Sequence, residues 1–222
     1  MKGLLIKDFS LLKNQKNFFI LVFVMAGFLT IANGAESSPA TFVLPYVGFV
    51  SSFFVLSTIS YDEYDNGNAF LFTLPFERKV YVVEKYVFGI LTGVAGMLII
   101  LAFVLVYMNM NARYAEVEET LLVAGASAGL LFFFLSIMIP FQLKFGPEKG
   151  RIAMIIVFLG IFAAVYGLAK VVNVGNMDLS GLIQTADAMG PAGVALVFLA
   201  VSLLVLAASM TISIRIMEKK EF

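Results

Sequence analysis

The sequence predicts an all-α membrane protein with six transmembrane helices and an N-terminal amphipathic interfacial helix. Three observations carry this. First, 61% of the 222 residues are apolar and only 14% charged, with a mean hydropathy of +0.97, far from a soluble domain's composition. Second, six stretches hold no Lys, Arg, Asp or Glu: about 17–32, 39–60, 86–108, 121–142, 152–169 and 191–214. A spanning helix needs about 20 apolar residues. Third, these runs are continuous rather than alternating with period two, and without water in the bilayer the backbone must be satisfied as helix or closed barrel. Only the helix fits.

Residues 1–16 read as an amphipathic helix on the inner leaflet, with Lys7, Ser10, Asn14 and Asn17 on one stripe and Leu5, Ile6, Phe9 and Leu12 opposite. Ala32-Asn33-Gly34-Ala35 resembles a small-residue signal cleavage site. The long amphipathic lead-in is unlike a short basic leader, so 17–32 is read as a span. Residues 17–222 then form one membrane domain without repeats or long linkers.

Six crossings put both termini on one side. Thirteen of the fifteen Lys and Arg fall there, against nine acids, whereas only Arg113 and Lys170 fall opposite, against six acids. The positive-inside rule makes both termini cytoplasmic. Of the outer connections, 170–190 is the longest, either a half-inserted pair of short helices or a surface loop. Glu116, Glu118 and Glu119 read as a solvated face.

Equal numbers of basic and acidic residues leave no field to gather nucleic acid. Without His or Cys, disulfides, imidazole or thiolate metal sites and Cys or Ser–His nucleophiles are excluded. No Gly-Lys dipeptide exists to form a phosphate loop, so the chain has no nucleotide site of its own. An ion-coupled carrier keeps a titratable group in its spans; their absence here favours a path opened mechanically and an apolar or amphipathic cargo. Gly89 with Gly93 and Gly125 with Gly129 read as close helix packing. Ser51, Ser52, Ser57, Thr58 and Ser136 could meet polar cargo groups, although such hydroxyls usually bond their own helix.

The inner connection 61–85 carries the most information. Its acidic, Asn-rich start supplies helix caps, Phe70, Leu71 and Leu74 give an apolar face, and Pro75 ends the helix. That face either docks a partner or lies on lipid or on the bundle.

An acidic segment, a Gly, an apolar pair, Leu74-Pro75, Arg78 and an apolar run into Lys85 resemble the inner loop of the type-2 permease family of ATP-binding-cassette transporters. The segments 140–151 and 2–9 resemble that family too, and the likeness spans essentially the whole chain. Phe76 and Glu77 depart from the small or hydroxyl residues common at their positions. The resemblance implies a half-transporter, a homodimer or heterodimer of permeases in the lipid bilayer, with a separate cytosolic ATPase subunit that holds ATP and Mg. It also implies a cytoplasmic coupling helix, whose ATPase contacts by position are Asp62, Glu63, Asn66, Phe70, Leu71, Leu74 and Arg78. Small permeases of this kind resemble exporters of amphipathic peptides such as phenol-soluble modulins and antimicrobial peptides, in the bacterial cytoplasmic membrane. The rival reading is a non-transporting scaffold or sensor subunit. No catalytic, metal or cofactor residue is expected in the chain itself.

Overall fold

The computed structural model describes residues 1–33, 38–64, 67–73, 76–113, 116–174 and 180–220, with backbone but not all side chains for much of 147–186. Seven helices follow in order: α1 (Lys2–Asn14), α2 (Lys16–Asn33), α3 (Ala40–Glu63), α4 (Gly67–Leu71), α5 (Arg78–Met110), α6 (Val117–Val174) and α7 (Ser180–Lys219). Among the described residues there is no strand.

Among the described residues, four helical stretches are long and apolar enough to cross a bilayer: Ala40–Glu63, Arg78–Met110, Val117–Gly146 and Asp187–Lys219. They contain the expected second, third, fourth and sixth spans. The first expected span lies in α2, which reaches the necessary length only together with α1, from which it is bent by 67°. The fifth, 152–169, lies in the second part of α6, where most side chains are outside the described residues. The expected six spans therefore stand as four helices and one bent pair among the described residues.

Glycine sets the sharp turns. Gly146, at φ 73°, breaks α6 between its first part and its continuation, and Gly190, at φ 67°, separates 180–189 from the long part of α7. Side chains with a Cβ are strained in this left-handed region. The stretch 180–189 is thus helical, whereas 175–179 of the same expected outer connection lies outside the described residues.

α3 is the central element. Val43, Leu44, Val47, Phe54, Val55 and Ile59 are all but fully buried, packed against α5 and α6 with Tyr81, Val82, Phe88, Leu131, Leu135 and Ile139. α7 lies at the periphery and leaves Leu196, Val201 and Leu204 exposed, as do Leu98, Ile99 and Val106 of α5. Apolar exposure on this scale belongs in hydrocarbon.

Small residues let the helices approach where lipid supplies no hydrophobic drive between them. A methyl group at Gly93 would lie 2.5 Å from Leu131, and one at Gly89 would lie 2.8 Å from Leu135 and 2.9 Å from Val55. One at Gly129 would lie 2.7 Å from Phe198. These three serve close packing. Gly125 does not, since among the described residues a Cβ there would meet nothing within 4 Å.

The hydroxyls follow the self-bonding alternative. Ser51 donates to the Val47 carbonyl at 2.8 Å, Ser52 to Gly48 at 3.0 Å, Thr58 to Val55 at 2.9 Å and Ser136 to Phe133 at 2.7 Å. Ser57 is held loosely, 3.5 Å from the Phe53 carbonyl.

Candidate functional site

α5 begins at Arg78, eight residues before the uncharged run that marks its span, and so carries Glu84 and Lys85 into the packed bundle. Lys85 is 0% exposed. A buried ammonium must be paired, and this one is. Its Nζ lies 2.5 Å from Asp8 Oδ2 and 2.7 Å from Asp62 Oδ2. Thr58 Oγ1 accepts from it at 3.3 Å, and the Tyr81 ring lies 5.1 Å away.

Lys7 closes the figure. It pairs with Asp62 Oδ1 and sits 3.3 Å from Asp8 Oδ1. Lys7, Asp62, Lys85 and Asp8 thus form a ring of alternating charge whose corners come from α1, α3 and α5. Asp62 stands in the last turn of α3, where the helix dipole disfavours a carboxylate; the two ammonium groups and the Tyr81 hydroxyl, which donates at 3.1 Å, offset that. Glu84, also 0% exposed, lies 3.7 Å from Lys85.

A second set of contacts ties the same connection to α7. Lys220 Nζ donates to Glu63 Oε1 at 2.5 Å and to the Leu143 carbonyl at 3.1 Å. Arg78 donates to the carbonyls of Met217, Glu218 and Lys220 at 3.1, 3.0 and 2.7 Å. The last carbonyls of a helix have no partner within it, so Arg78 caps α7. Its guanidinium also lies 5.7 Å from the centre of the Phe72 ring.

The seven residues expected to contact an ATPase therefore separate. Asp62, at 9% exposure, is turned into the charge ring rather than outward. Glu63 and Arg78 are engaged with α7. Leu71 is half-buried and packs with Phe72 and Phe76 onto the core. Phe70 is 72% exposed, and Tyr64, which the sequence reading passed over, is 73% exposed. Asn66 and Leu74 lie outside the described residues, as do Asp65 and Pro75.

The sequence reading also missed Lys7, Asp8, Tyr81, Lys85 and Lys220 as members of one site. A signal existed for Asp8: four residues from both Leu4 and Leu12, it lies on the apolar face of α1. An acid there needs a buried cation, and Lys85 beside a long uncharged run is a natural candidate.

A bundle of membrane-length helices, with both ends of the chain gathered at one polar hub, defines a multi-pass membrane protein. The family model described as ABC-2 family transporter protein matches residues 3–218, and the chain belongs to that family. It is a transmembrane transporter subunit, of a family that normally works in a membrane with an ATP-binding-cassette subunit. No curated protein and no solved structure proved similar.

Proposed function

We propose that the chain is the permease half of an ATP-driven exporter, moving an amphipathic cargo, a peptide foremost, out of a bacterial cell. Two such subunits, identical or paralogous, flank the path. A separate cytosolic ATPase grips the connection between α3 and α5, and both termini face that ATPase.

The observation that carries this reading is the pair of anchors at the roots of that connection. Asp62 and Glu63 fasten its entry to α1, α5 and α7, and Arg78 fastens its exit to the end of α7. A displacement of α4 is then handed to several helices at once instead of being absorbed in a slack loop. Rigid elements joined in this way move as bodies between alternative packings. The exposed rings of Tyr64 and Phe70 give the ATPase something apolar to hold; the buried charges transmit the movement and make no contact with the ATPase.

The test is co-purification. With a candidate ATP-binding-cassette ATPase co-expressed, Phe70→Asp is expected to cut the recovered complex about tenfold, as loss of an interface anchor does, while the variant still inserts and elutes like the parent. Unchanged recovery for Phe70→Asp and Tyr64→Asp together would count against docking and favour the scaffold reading.

A further inference from the structure

The face of α3 that turns away from the charge ring lines a cavity of about 570 Å³. Phe53, Leu56, Ser57, Ser60, Tyr61 and Tyr64 recur at helical spacing along it. Gln15, at the elbow between α1 and α2, and Gln142 of α6 complete the wall. None of these lining side chains is charged. That sets the cavity apart from the hub a turn away.

The polar groups are few and arranged with capacity to spare. Gln142 is 1% exposed, and its Nε2 donates to Ser60 Oγ at 3.0 Å. Its Oε1 is buried and accepts from no group among the described residues. Ser57 is only loosely engaged by its own helix. A cavity with aromatic and aliphatic walls and a few convergent hydrogen-bonding groups is the usual form of a small-molecule site. The wall, uncharged among the described residues, disfavours an ionic ligand, which would be desolvated without a partner, and the loosely held Ser57 hydroxyl can accept from an O–H or N–H group.

We infer that this cavity binds a neutral amphiphile, a molecule with an apolar body and an O–H or N–H group at one end. The inference rests on the transporter reading for the ligand's fate but not for its binding. A resident neutral lipid and a neutral cargo share this chemistry.

The chain has no cysteine, so Ser57→Cys, a near-isosteric change, places a single thiol on the wall. The full-length variant, in phosphatidylcholine nanodiscs, is labelled with N-ethylmaleimide in the presence of monooleoylglycerol, oleate or dodecyltrimethylammonium. At about nine times its Kd, monooleoylglycerol should slow labelling about tenfold by mass action. The two charged amphiphiles should leave the rate within about twofold. Leu204→Cys, on the exposed face of α7, should be unaffected by all three. Equal slowing at both positions, or by all three amphiphiles, would overturn the inference, as would a disulfide between two Ser57→Cys chains, which would mean that a second copy covers the cavity.

Adding the ATPase and ATP separates the two sources, and either result upholds binding: turnover relieves protection by a cargo but not by a resident lipid. Protection by monooleoylglycerol without capture of the ATPase would uphold the cavity and sink the transport reading. Normal capture without protection would do the reverse.

Discussion

Lys85 and Asp8 stand 77 residues apart in the chain and meet at 2.5 Å, both withdrawn from solvent. The contact joins the amphipathic N-terminal helix to the interior of the bundle. It makes α1 a structural member of the transporter subunit. Leu4 is buried beside Asp8, whereas Ile6 and Phe9 of the same helix remain exposed, so the helix turns its single acid inward and two of its largest apolar residues outward.

Breaking this ring at one corner leaves a buried charge without its partner, and the cost should exceed that of removing the ring altogether. Lys85→Met removes the buried cation and leaves Asp8 and Asp62 with only the part-exposed Lys7 between them, and is expected to destabilise the protein by about 3–5 kcal/mol. Adding Asp8→Asn and Asp62→Asn should restore most of the loss, since unpaired buried charge is what makes the single change expensive. Thermal midpoints of the purified variants decide this. A triple variant that adds the single losses together would show that the four groups do not act as a unit.

Hydropathy made much of this architecture legible, because long uncharged runs have one solution in lipid and their boundaries are written in the charges that flank them. The hub was harder to read. Asp62, Glu63 and Arg78 stand in the connection that a partner would touch, and a linear reading cannot tell a side chain presented outward from one turned back onto α1 or α7. Phe70, at the exposed end of α4, stays outward. The burial of Lys85 was hidden for a related reason: an expected span that opens at 86 says nothing of the charges just before it, and the helix carries Lys85 into the bundle where Asp8 of α1 and Asp62 of α3 supply the counter-charges.

Arg78 ties the α3–α5 connection to α7 through three carbonyls, and removing it should loosen that end selectively. Arg78→Ala is expected to cost about 1.5–3 kcal/mol for the charge-assisted hydrogen bonds. Hydrogen exchange should quicken at 213–219 before it does anywhere in α3. The neighbouring pair, Lys79 with Glu218 at 3.6 Å, is largely exposed on both sides, so Lys79→Ala should change stability by less than about 1 kcal/mol. Equal effects from the two substitutions would mean that proximity to α7, and not the cap, is what counts.

The glycines offer a test of helix approach that is independent of charge. At Gly93 a new side chain meets Leu131, itself wholly buried, and Gly93→Val should force α5 and α6 apart at a cost of about 1–3 kcal/mol. At Gly125 the space is open, and Gly125→Ala should be neutral or stabilising by about 0.5–1 kcal/mol through helix propensity. Melting curves run on the two variants side by side should fall for Gly93→Val and hold or rise for Gly125→Ala; a loss at Gly125 as large as that at Gly93 would contradict the packing described.

Deeper in the bundle, the Tyr86 hydroxyl lies 2.7 Å from Ser209 Oγ and 2.8 Å from Ser213 Oγ, and Ser209 donates in turn to the Ser136 carbonyl at 2.5 Å. This chain of hydroxyls fastens α5 to α7 and α7 to α6 where little water competes. Measured hydrogen bonds between membrane helices are nonetheless modest, because unfolded helices in lipid find other partners. Tyr86→Phe keeps the ring and removes only the hydroxyl, and is expected to cost about 0.6–1.7 kcal/mol. Ser213→Ala should cost less, since Ser209 still engages Tyr86. A double-mutant cycle on Tyr86 and Ser209 should return a coupling of at least about 0.5 kcal/mol; a coupling of zero would mean that α7 is held by apolar contact and by the Arg78 and Lys220 contacts at its end rather than by this chain of hydroxyls.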